Sequence, residues 1–145
     1  MLNVTVKTGR ENMDVEVIHK YLSQDSYWAK GISYELVENS LINSFCVGAF
    51  IDEKQIGFAR LITDYSTFAY LADVFVLPEF QGNRVAKQML SHIFEQGFIK
   101  RLRRIMLMTR DAHGLYRQFQ FKDPKNPAGV MEIANPDPYL QVTTS

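Results

Sequence analysis

The chain has 145 residues, with 16 basic and 16 acidic side chains and no formal net charge at pH 7. That length is enough for a hydrophobic core that needs neither disulfides nor a metal. The balanced charge, with no clustered basic face beyond KRLRR at 100–104, argues against a nucleic-acid partner. No run reaches the ~20 apolar residues of a membrane span, and no signal peptide is visible. The sequence therefore predicts a soluble, cytoplasmic protein with no membrane partner.

The N-terminal part predicts one strand and two helices. The alternating stretch VTVK predicts a short strand that ends near Gly9. Two amphipathic helices follow, and Ser33 is the predicted N-cap of the second. The inward positions are Val15, Ile18 and Leu22 in the first helix and Val37 and Leu41 in the second. Between the helices lies an aromatic loop, SQDSYWAKG.

The middle of the chain predicts a hairpin and a central strand. FCVGAFI and QIGFARLIT, joined by the polar turn DEK, predict an antiparallel pair. TFAYLADVFVL is apolar on both faces, which is typical of a central strand covered from both sides. A helix after Gly82 has Val85, Met89, Ile93 and Phe94 at helical spacing. RIMLMT predicts a further strand and AHGLYRQF a short helix, and the prolines that follow predict an irregular segment over about 125–145.

This order predicts a single α+β domain over residues 1–145, with a mixed, mostly antiparallel sheet flanked by helices. A strand–loop–helix–strand crossover, expected to be right-handed, lies at its centre. Free N–H groups and the dipole at the start of its helix favour an anion such as phosphate. Gly82 permits close backbone approach there, and the small Ala86 lets the helix lie tight on the sheet. On these residues alone, an ordinary strand-to-helix connection is the other interpretation.

The stretch VFVLPEFQGNRVAKQML, preceded by LAD and followed later by LYRQFQF, resembles the acetyl-CoA signature of the GNAT N-acetyltransferases. Small bacterial members are the most similar in detail, and the order of elements matches the family from Val4 to about Phe121. The resemblance implies a loop of the form Gln/Arg-x-x-Gly-x-Gly/Ala whose amides bind the pyrophosphate of acetyl-CoA. The residues that match this loop are Gln81, Gly82, Asn83, Arg84, Val85, Ala86 and Lys87.

Arg84 departs from the family pattern, because it stands where the middle glycine is expected. If this position requires a positive φ, a residue other than glycine costs roughly 1–2 kcal/mol. If its φ is ordinary, the guanidinium adds a positive charge near the phosphates. The second alternative is the expectation.

The resemblance also implies where the acyl end of the cofactor binds. Val74, Phe75 and Val76 match the strand that hydrogen-bonds the pantetheine arm through its main chain and directs an N–H at the thioester oxygen. Tyr116 matches the tyrosine that returns a proton to the CoA sulfur, although a core aromatic is the alternative. Gln120 stands where the family usually has glycine, so the turn after this helix is expected to differ.

Asp73 lies inside an apolar strand, where a lone carboxylate is unfavourable without a partner. One interpretation is a structural aspartate satisfied by backbone or tyrosine groups. The other makes Asp73 an acceptor for the incoming amine or a base acting through water. It resembles the Glu-Asp-Phe-Phe-Val stretch of polyamine acetyltransferases, with Ala72 in place of the glutamate.

The expected function is N-acetylation of a small-molecule or peptide primary amine by acetyl-CoA, through direct attack in a ternary complex. No metal spacing is present, and Cys46 is interpreted as core. The aromatic loop and the hairpin supply candidate acceptor contacts through cation–π interaction. These residues are Tyr27, Trp28, Asp64, Tyr65 and Tyr70. The alternative is a catalytically impaired CoA-binding or ligand-sensing domain, and a homodimer is left open.

Overall fold

The computed structural model describes residues 2–139. The chain forms two compact units, one ending at Met108 and the other beginning at Thr109. The predicted single domain over residues 1–145 stays a prediction.

Five strands of the first unit form one sheet, in the order β1-β2-β3-β4-β5. Neighbouring strands are antiparallel except β4 and β5, which are parallel. The strands are β1 Thr5–Thr8, β2 Ser44–Ile51, β3 Lys54–Thr63, β4 Phe68–Val76 and β5 Arg104–Leu107. This topology confirms the predicted mixed, mostly antiparallel sheet, and the segment between β4 and β5 is the predicted crossover.

Capping side chains mark the starts of the first two helices. Ser33 accepts a hydrogen bond from the Leu36 N–H, and Asp14 accepts from the N–H groups of Glu16 and Val17. The α-helices are α1 Val15–Lys20, α2 Tyr34–Ile42, α3 Val85–Phe94 and, in the second unit, α4 His113–Arg117. α1 continues into a π-helical turn over Tyr21–Asp25, and 3₁₀ turns occupy Arg10–Asn12, Pro78–Phe80, Gly97–Arg101 and Pro127–Gly129. The predicted hairpin turn is shorter than DEK, since Lys54 already belongs to β3.

α2 and α3 cover opposite faces of the sheet. The Cys46 thiol of β2 donates to the Leu41 carbonyl of α2 at 3.6 Å. A Cβ built on Gly57 of β3 would lie 3.1 Å from the Met89 side chain of α3. Because Cys46 pairs with Arg60, and Gly57 lies an odd number of positions from Arg60, the two contacts fall on different faces. The inward side chains of α3 are Val85, Met89, Leu90 and Ile93, so Leu90 rather than Phe94 completes its buried face.

β4 is an interior strand, between β3 and β5, but it is not covered equally on both faces. Ala69 and Leu71 are buried, while Tyr70 and Ala72 between them are only partly covered. The expectation of full cover on both faces is therefore wrong. Near Ile62 and Phe68, which are 40% exposed each, the end of α2 leaves part of this face open.

In the second unit, α4 ends in a left-handed turn. The Phe121 N–H donates to the Tyr116 carbonyl and the Gln120 N–H to the Arg117 carbonyl, which is the Schellman pattern. Gln120 has the positive φ, +75°, that this pattern requires. Between Thr109 and Tyr139 the structure contains no strand. Residues 140–145 of the predicted irregular segment lie outside the described residues.

Candidate active site

β4 contains a bulge at the position where the resemblance predicts the reacting thioester. Phe58 pairs with Phe75 and Arg60 pairs with Ala72, so Asp73 and Val74 together face the single residue Ala59 of β3. Asp73 has φ +56°, a left-handed backbone that side chains rarely adopt. An extra residue of this kind bends a strand and changes the direction of its neighbouring groups.

β4 and β5 separate after Leu71, two residues before the bulge begins at Asp73. The last residue pair between β4 and β5 is Leu71 with Leu107, whereas β4 continues to Val76 and stays paired with β3. Beyond Leu71, the main-chain groups of β4 that point away from β3 therefore have no strand partner in the described part of the chain. Val74, Phe75 and Val76, the predicted pantetheine-binding residues, lie on this free edge.

The loop between β4 and α3 presents a row of unpaired amides. Within residues 2–139, the N–H groups of Gly82, Asn83 and Arg84 donate to no protein acceptor. The N–H groups of the first turn of α3, from Val85 to Lys87, have no acceptor carbonyl within the helix. No side chain caps this end of the helix. Consecutive free amides at a helix start attract anionic oxygens.

Two side chains brace this loop from within. The Gln81 side-chain amide donates to the Val76 carbonyl at 3.0 Å. The Asn83 side-chain amide donates to the carbonyls of Phe80 and Gln81 at 3.1 and 3.2 Å. The main-chain N–H of Gln81 is also used, because it donates to Pro78 at 3.3 Å. Gln81 therefore shapes the loop, while the free amides begin at Gly82.

Arg84 has φ +61° and ψ 23°, so the expectation of an ordinary φ is wrong. The loop thus contains two left-handed residues, Gly82 at φ +81° and Arg84 immediately before α3. Arg84 adopts a backbone that glycine takes without steric penalty, at a cost of roughly 1–2 kcal/mol. Its guanidinium is exposed and makes no hydrogen bond or ion pair with any described residue. A Cβ built on Gly82 would meet nothing within 4 Å, so the space over the loop is open.

Both carboxylate oxygens of Asp73 have side-chain donors. The Arg60 Nε lies 2.6 Å from Oδ2, and the Trp28 Nε1 lies 2.7 Å from Oδ1. The side chains of this ion pair are 15% and 10% exposed, and Arg60 Nη1 also donates to Ser44 Oγ at 3.0 Å. The partners are thus an arginine and a tryptophan rather than the backbone or tyrosine groups of the structural alternative. Sequence reasoning missed Arg60, whose one signal is a lone cation in the apolar stretch QIGFARLIT.

The aromatic loop between α1 and α2 reaches β4 through this hydrogen bond. Trp28 is 41% exposed and Tyr27 is 51% exposed, and their rings meet edge to face at 5.0 Å. Tyr21, which sequence analysis did not single out, stacks on Phe75 with ring centroids 4.1 Å apart. Trp28 therefore lies next to the bulge at Asp73, and Tyr27 lies next to Trp28. Both were predicted to contact the acceptor.

Asp64 holds the β3–β4 turn. Its carboxylate accepts from the Thr67 hydroxyl at 2.6 Å and from the N–H groups of Ser66, Thr67 and Phe68. These hydrogen bonds hold the pKa of Asp64 well below its usual range, and the bond from the Thr67 hydroxyl has the largest effect. Tyr65, in the same turn, has φ +62°.

The two turn residues line an open pocket of about 550 Å³ at the end of α2. Tyr70, the third hairpin residue predicted to contact the acceptor, pairs with Ile62 of β3. The other residues lining the pocket are Ile42, Asn43, Ser44, Ile62, Thr63 and Phe68. The three hairpin candidates, Asp64, Tyr65 and Tyr70, thus lie several residues along the strands from the bulge. They are also distant along the strands from the Trp28–Asp73 hydrogen bond.

The second unit contains Tyr116, which is 9% exposed and meets Phe121 edge to face at 5.9 Å. Gln120 has a left-handed φ of +75°, which is a backbone that glycine adopts readily. The expectation that this turn differs from that of the family stays a prediction.

Cys46 offers no reactive thiol. It is 1% exposed, and burial raises the pKa of its thiol to about 11. Over residues 2–139, no three His, Cys, Asp or Glu side chains group as metal ligands. No helix in that range is both long and apolar enough to cross a membrane.

The sequence profile of the Acetyltransferase (GNAT) family matches residues 15–121. A proposed acetyltransferase from Gibberella zeae is 34% identical over 151 residues, covering 89% of this chain and 85% of that protein. A crystal structure of a proposed GNAT acetyltransferase from Xanthomonas campestris is 44% identical with a TM-score of 0.92, over 96% of this chain and 98% of that one. The chain therefore belongs to the GNAT acetyltransferase family, as its loop motif and element order predicted.

The fold extends to more distant relatives. A proposed acetyltransferase from Clostridium acetobutylicum, whose crystal structure was solved with acetyl-CoA, is 15% identical with a TM-score of 0.69. The match covers 90% of this chain and 96% of that chain. At this identity the similarity shows a common fold.

Proposed function

We propose that the protein transfers an acetyl group from acetyl-CoA to a primary amine by direct attack in a ternary complex. The observation that carries the proposal is the row of unpaired amides from Gly82 to Lys87 beside the free edge of β4. A pyrophosphate on the loop and a pantetheine arm along Val74–Val76 would use both features together. The related fold from Clostridium acetobutylicum, solved with acetyl-CoA, supports this choice of cosubstrate.

The loop residues would bind the cofactor in two ways. Amides from Gly82 onward would donate to the phosphate oxygens, and the unpaired Arg84 guanidinium would add a charge-assisted contact. Gln81 and Asn83 would act mainly by holding the loop in shape, since their side chains already bond to loop carbonyls.

In the proposed reaction the amine nitrogen attacks the thioester carbon, and an amide bond forms as the carbon–sulfur bond breaks. A β4 N–H at the free edge would stabilise the oxyanion; removing one such donor elsewhere costs about 2.7–4 kcal/mol. One proton must leave the amine and another must reach the thiolate. Tyr116 is the proposed donor to sulfur, because a phenol with a pKa near 10 can protonate a thiolate whose thiol is near 8.5.

Deprotonation of the amine is assigned to water rather than to direct contact with Asp73. Both Asp73 oxygens already accept strong hydrogen bonds, so taking a proton would disrupt the pairing with Arg60 or Trp28. A base role for Asp73 remains a prediction only through an ordered water. The sensor alternative is not favoured, since Arg84 and Gln120 both have a left-handed backbone, which glycine adopts readily.

The proposal is tested by thiol release from acetyl-CoA across a panel of alkyl, aryl and peptide amines, with N-acetyl product identified by mass spectrometry. Tyr116→Phe should lower kcat by roughly 10²-fold while CoA affinity stays near wild type, because only the proton donor is lost. Wild-type CoA binding without thiol release on any amine would support a sensor instead. Equal turnover by Tyr116→Phe would remove Tyr116 from the chemistry.

A further inference from the structure

Asp73 keeps an unfavourable backbone at the place where the sheet opens. Its φ of +56° lies in the left-handed region, one position before Val74 on the free edge of β4. A residue other than glycine stays in this region only where the surrounding structure enforces it, and such positions concentrate at functional sites. The question is which contacts enforce it here.

Two elements contact the Asp73 side chain, and a third supports one of them. Arg60 of β3 meets one carboxylate oxygen at 2.6 Å, and Trp28 of the aromatic loop meets the other at 2.7 Å. Ser44, at the start of β2, fixes the far end of the guanidinium at 3.0 Å. With side chains only 15% and 10% exposed, the ion pair is shielded from solvent. Each carboxylate oxygen is therefore held in one direction by a hydrogen bond. Together these two bonds restrict the backbone conformation of Asp73.

We propose that Arg60 is a positioning residue for acetyl transfer: it holds the Asp73 carboxylate so that the bulge turns the free edge of β4 toward the thioester. Trp28 completes the arrangement by occupying the second oxygen. This role rests on the proposed acetyl-CoA-dependent function. Arg60 itself touches neither cofactor nor acceptor; it acts through Asp73 on the main chain of Val74 and its neighbours.

The geometry requires an arginine. A planar guanidinium donates from Nε to Asp73 and from Nη1 to Ser44 at the same time. A lysine ammonium at this position keeps the charge but cannot make both bonds in fixed directions. A loss of orientation at the reacting centre affects turnover much more than binding of the remote pyrophosphate, and a misplacement of 1 Å can cost about 10²-fold in rate.

The test compares wild type with a neutral double variant, Arg60→Met with Asp73→Asn, which leaves no unpaired buried charge. The matched control removes an ion pair elsewhere in the first unit, Lys7→Met with Glu53→Gln, whose charged atoms lie 3.7 Å apart at the surface. Each protein is measured for CoA affinity by calorimetry, for kcat and KM by thiol release, and for thermal unfolding. The emission of Trp28, the single tryptophan, reports whether the carboxylate is in place.

The neutral double variant should lose about tenfold to 10²-fold in kcat, shift the Trp28 emission, and keep its CoA affinity within about threefold. The control pair should stay near wild type in kcat, and Arg60→Lys should recover part of the lost turnover. A folded double variant with wild-type kcat would overturn the positioning role, as would a loss confined to CoA affinity.

If the double variant does not fold, Arg60→Lys decides the matter. It must fold and still fall below wild type in kcat, and full turnover in Arg60→Lys would overturn the proposal. The proposed function has its own outcome: a wild type that neither binds CoA nor releases thiol removes that function and the positioning role together. Wild-type binding and turnover combined with unaffected variants removes the positioning role alone.

Discussion

At the scale of single residues, each of the two units has left-handed positions occupied by residues other than glycine. Asp73, Arg84 and Gln120 have φ values of +56°, +61° and +75°. At Arg84 and Gln120 the family pattern has glycine, yet the backbone is the one glycine would adopt. Arg84 therefore combines a strained backbone with an exposed positive charge. Mutation can separate the effects of the backbone strain and the charge.

Arg84→Gly should stabilise the fold and weaken the cofactor complex. Glycine relieves the left-handed strain, for a net gain of about 0.5–1 kcal/mol after its greater unfolded-state entropy is subtracted. Losing the guanidinium should weaken CoA binding by roughly tenfold, the value of one charge-assisted hydrogen bond. Thermal unfolding and calorimetric titration measure the two effects independently.

Arg84→Ala is the matched control, because it removes the same charge but keeps a Cβ at positive φ. Its CoA affinity should fall as in Arg84→Gly, with no gain in stability. CoA affinities equal to wild type in both variants would show that the guanidinium does not reach the phosphates.

Cys46 should be dispensable for turnover. With the pKa of its thiol raised to about 11 by burial, only about one molecule in 10³ carries a thiolate at pH 8. A thiol reagent should therefore label the native protein slowly and the denatured protein fast, and Cys46→Ala should keep its kcat. Abolished turnover in a folded Cys46→Ala would instead indicate an acyl-enzyme on this sulfur.

At the scale of elements, β4 and its flanking turns set the geometry. The strand is braced at its start by Asp64, is bulged at Asp73, and leads into the amide loop after Val76. Of these three features, the bulge alone has β3–β4 pairs on both sides, from Ala69 to Ala72 and from Phe75 to Val76. The acyl end and the phosphate end of the proposed cofactor thus rest on one continuous segment.

The Asp64 turn should contribute pH-dependent stability. Its folded pKa is lowered by the hydrogen bonds from Thr67, Ser66 and Phe68, so the carboxylate stabilises the fold fully above the unfolded pKa near 3.9. That contribution is lost as the pH falls below about 4 and the group protonates. The difference in Tm between wild type and Asp64→Ala should be clear at pH 7 and shrink in acid. A difference that stays constant from pH 7 to pH 2 would contradict this assignment.

At the scale of the whole molecule, the features that depend on residues close together in the sequence were predicted from it. The periodicity around Ile18, Val37 and Met89 placed the helices, and the β4–loop–α3 motif located the amide loop and the family. The bulge could not be predicted, because it depends on which residue of β3 faces Asp73. The same holds for the Arg60 and Trp28 contacts, which join residues 13 and 45 positions apart. The φ of Arg84 was predicted wrongly because the prediction relied on the benefit of a cation near a diphosphate, and that benefit does not depend on the backbone conformation.

The central claim is that main-chain amides from Gly82 to Lys87 bind the pyrophosphate of acetyl-CoA. Amide-resolved NMR of the ¹⁵N-labelled protein during a titration with CoA measures this most directly. The account predicts saturable changes at equimolar ligand, with the largest downfield proton shifts at these amides as they donate to phosphate oxygens. Saturation with these resonances unmoved, or the absence of any saturable change, would contradict it.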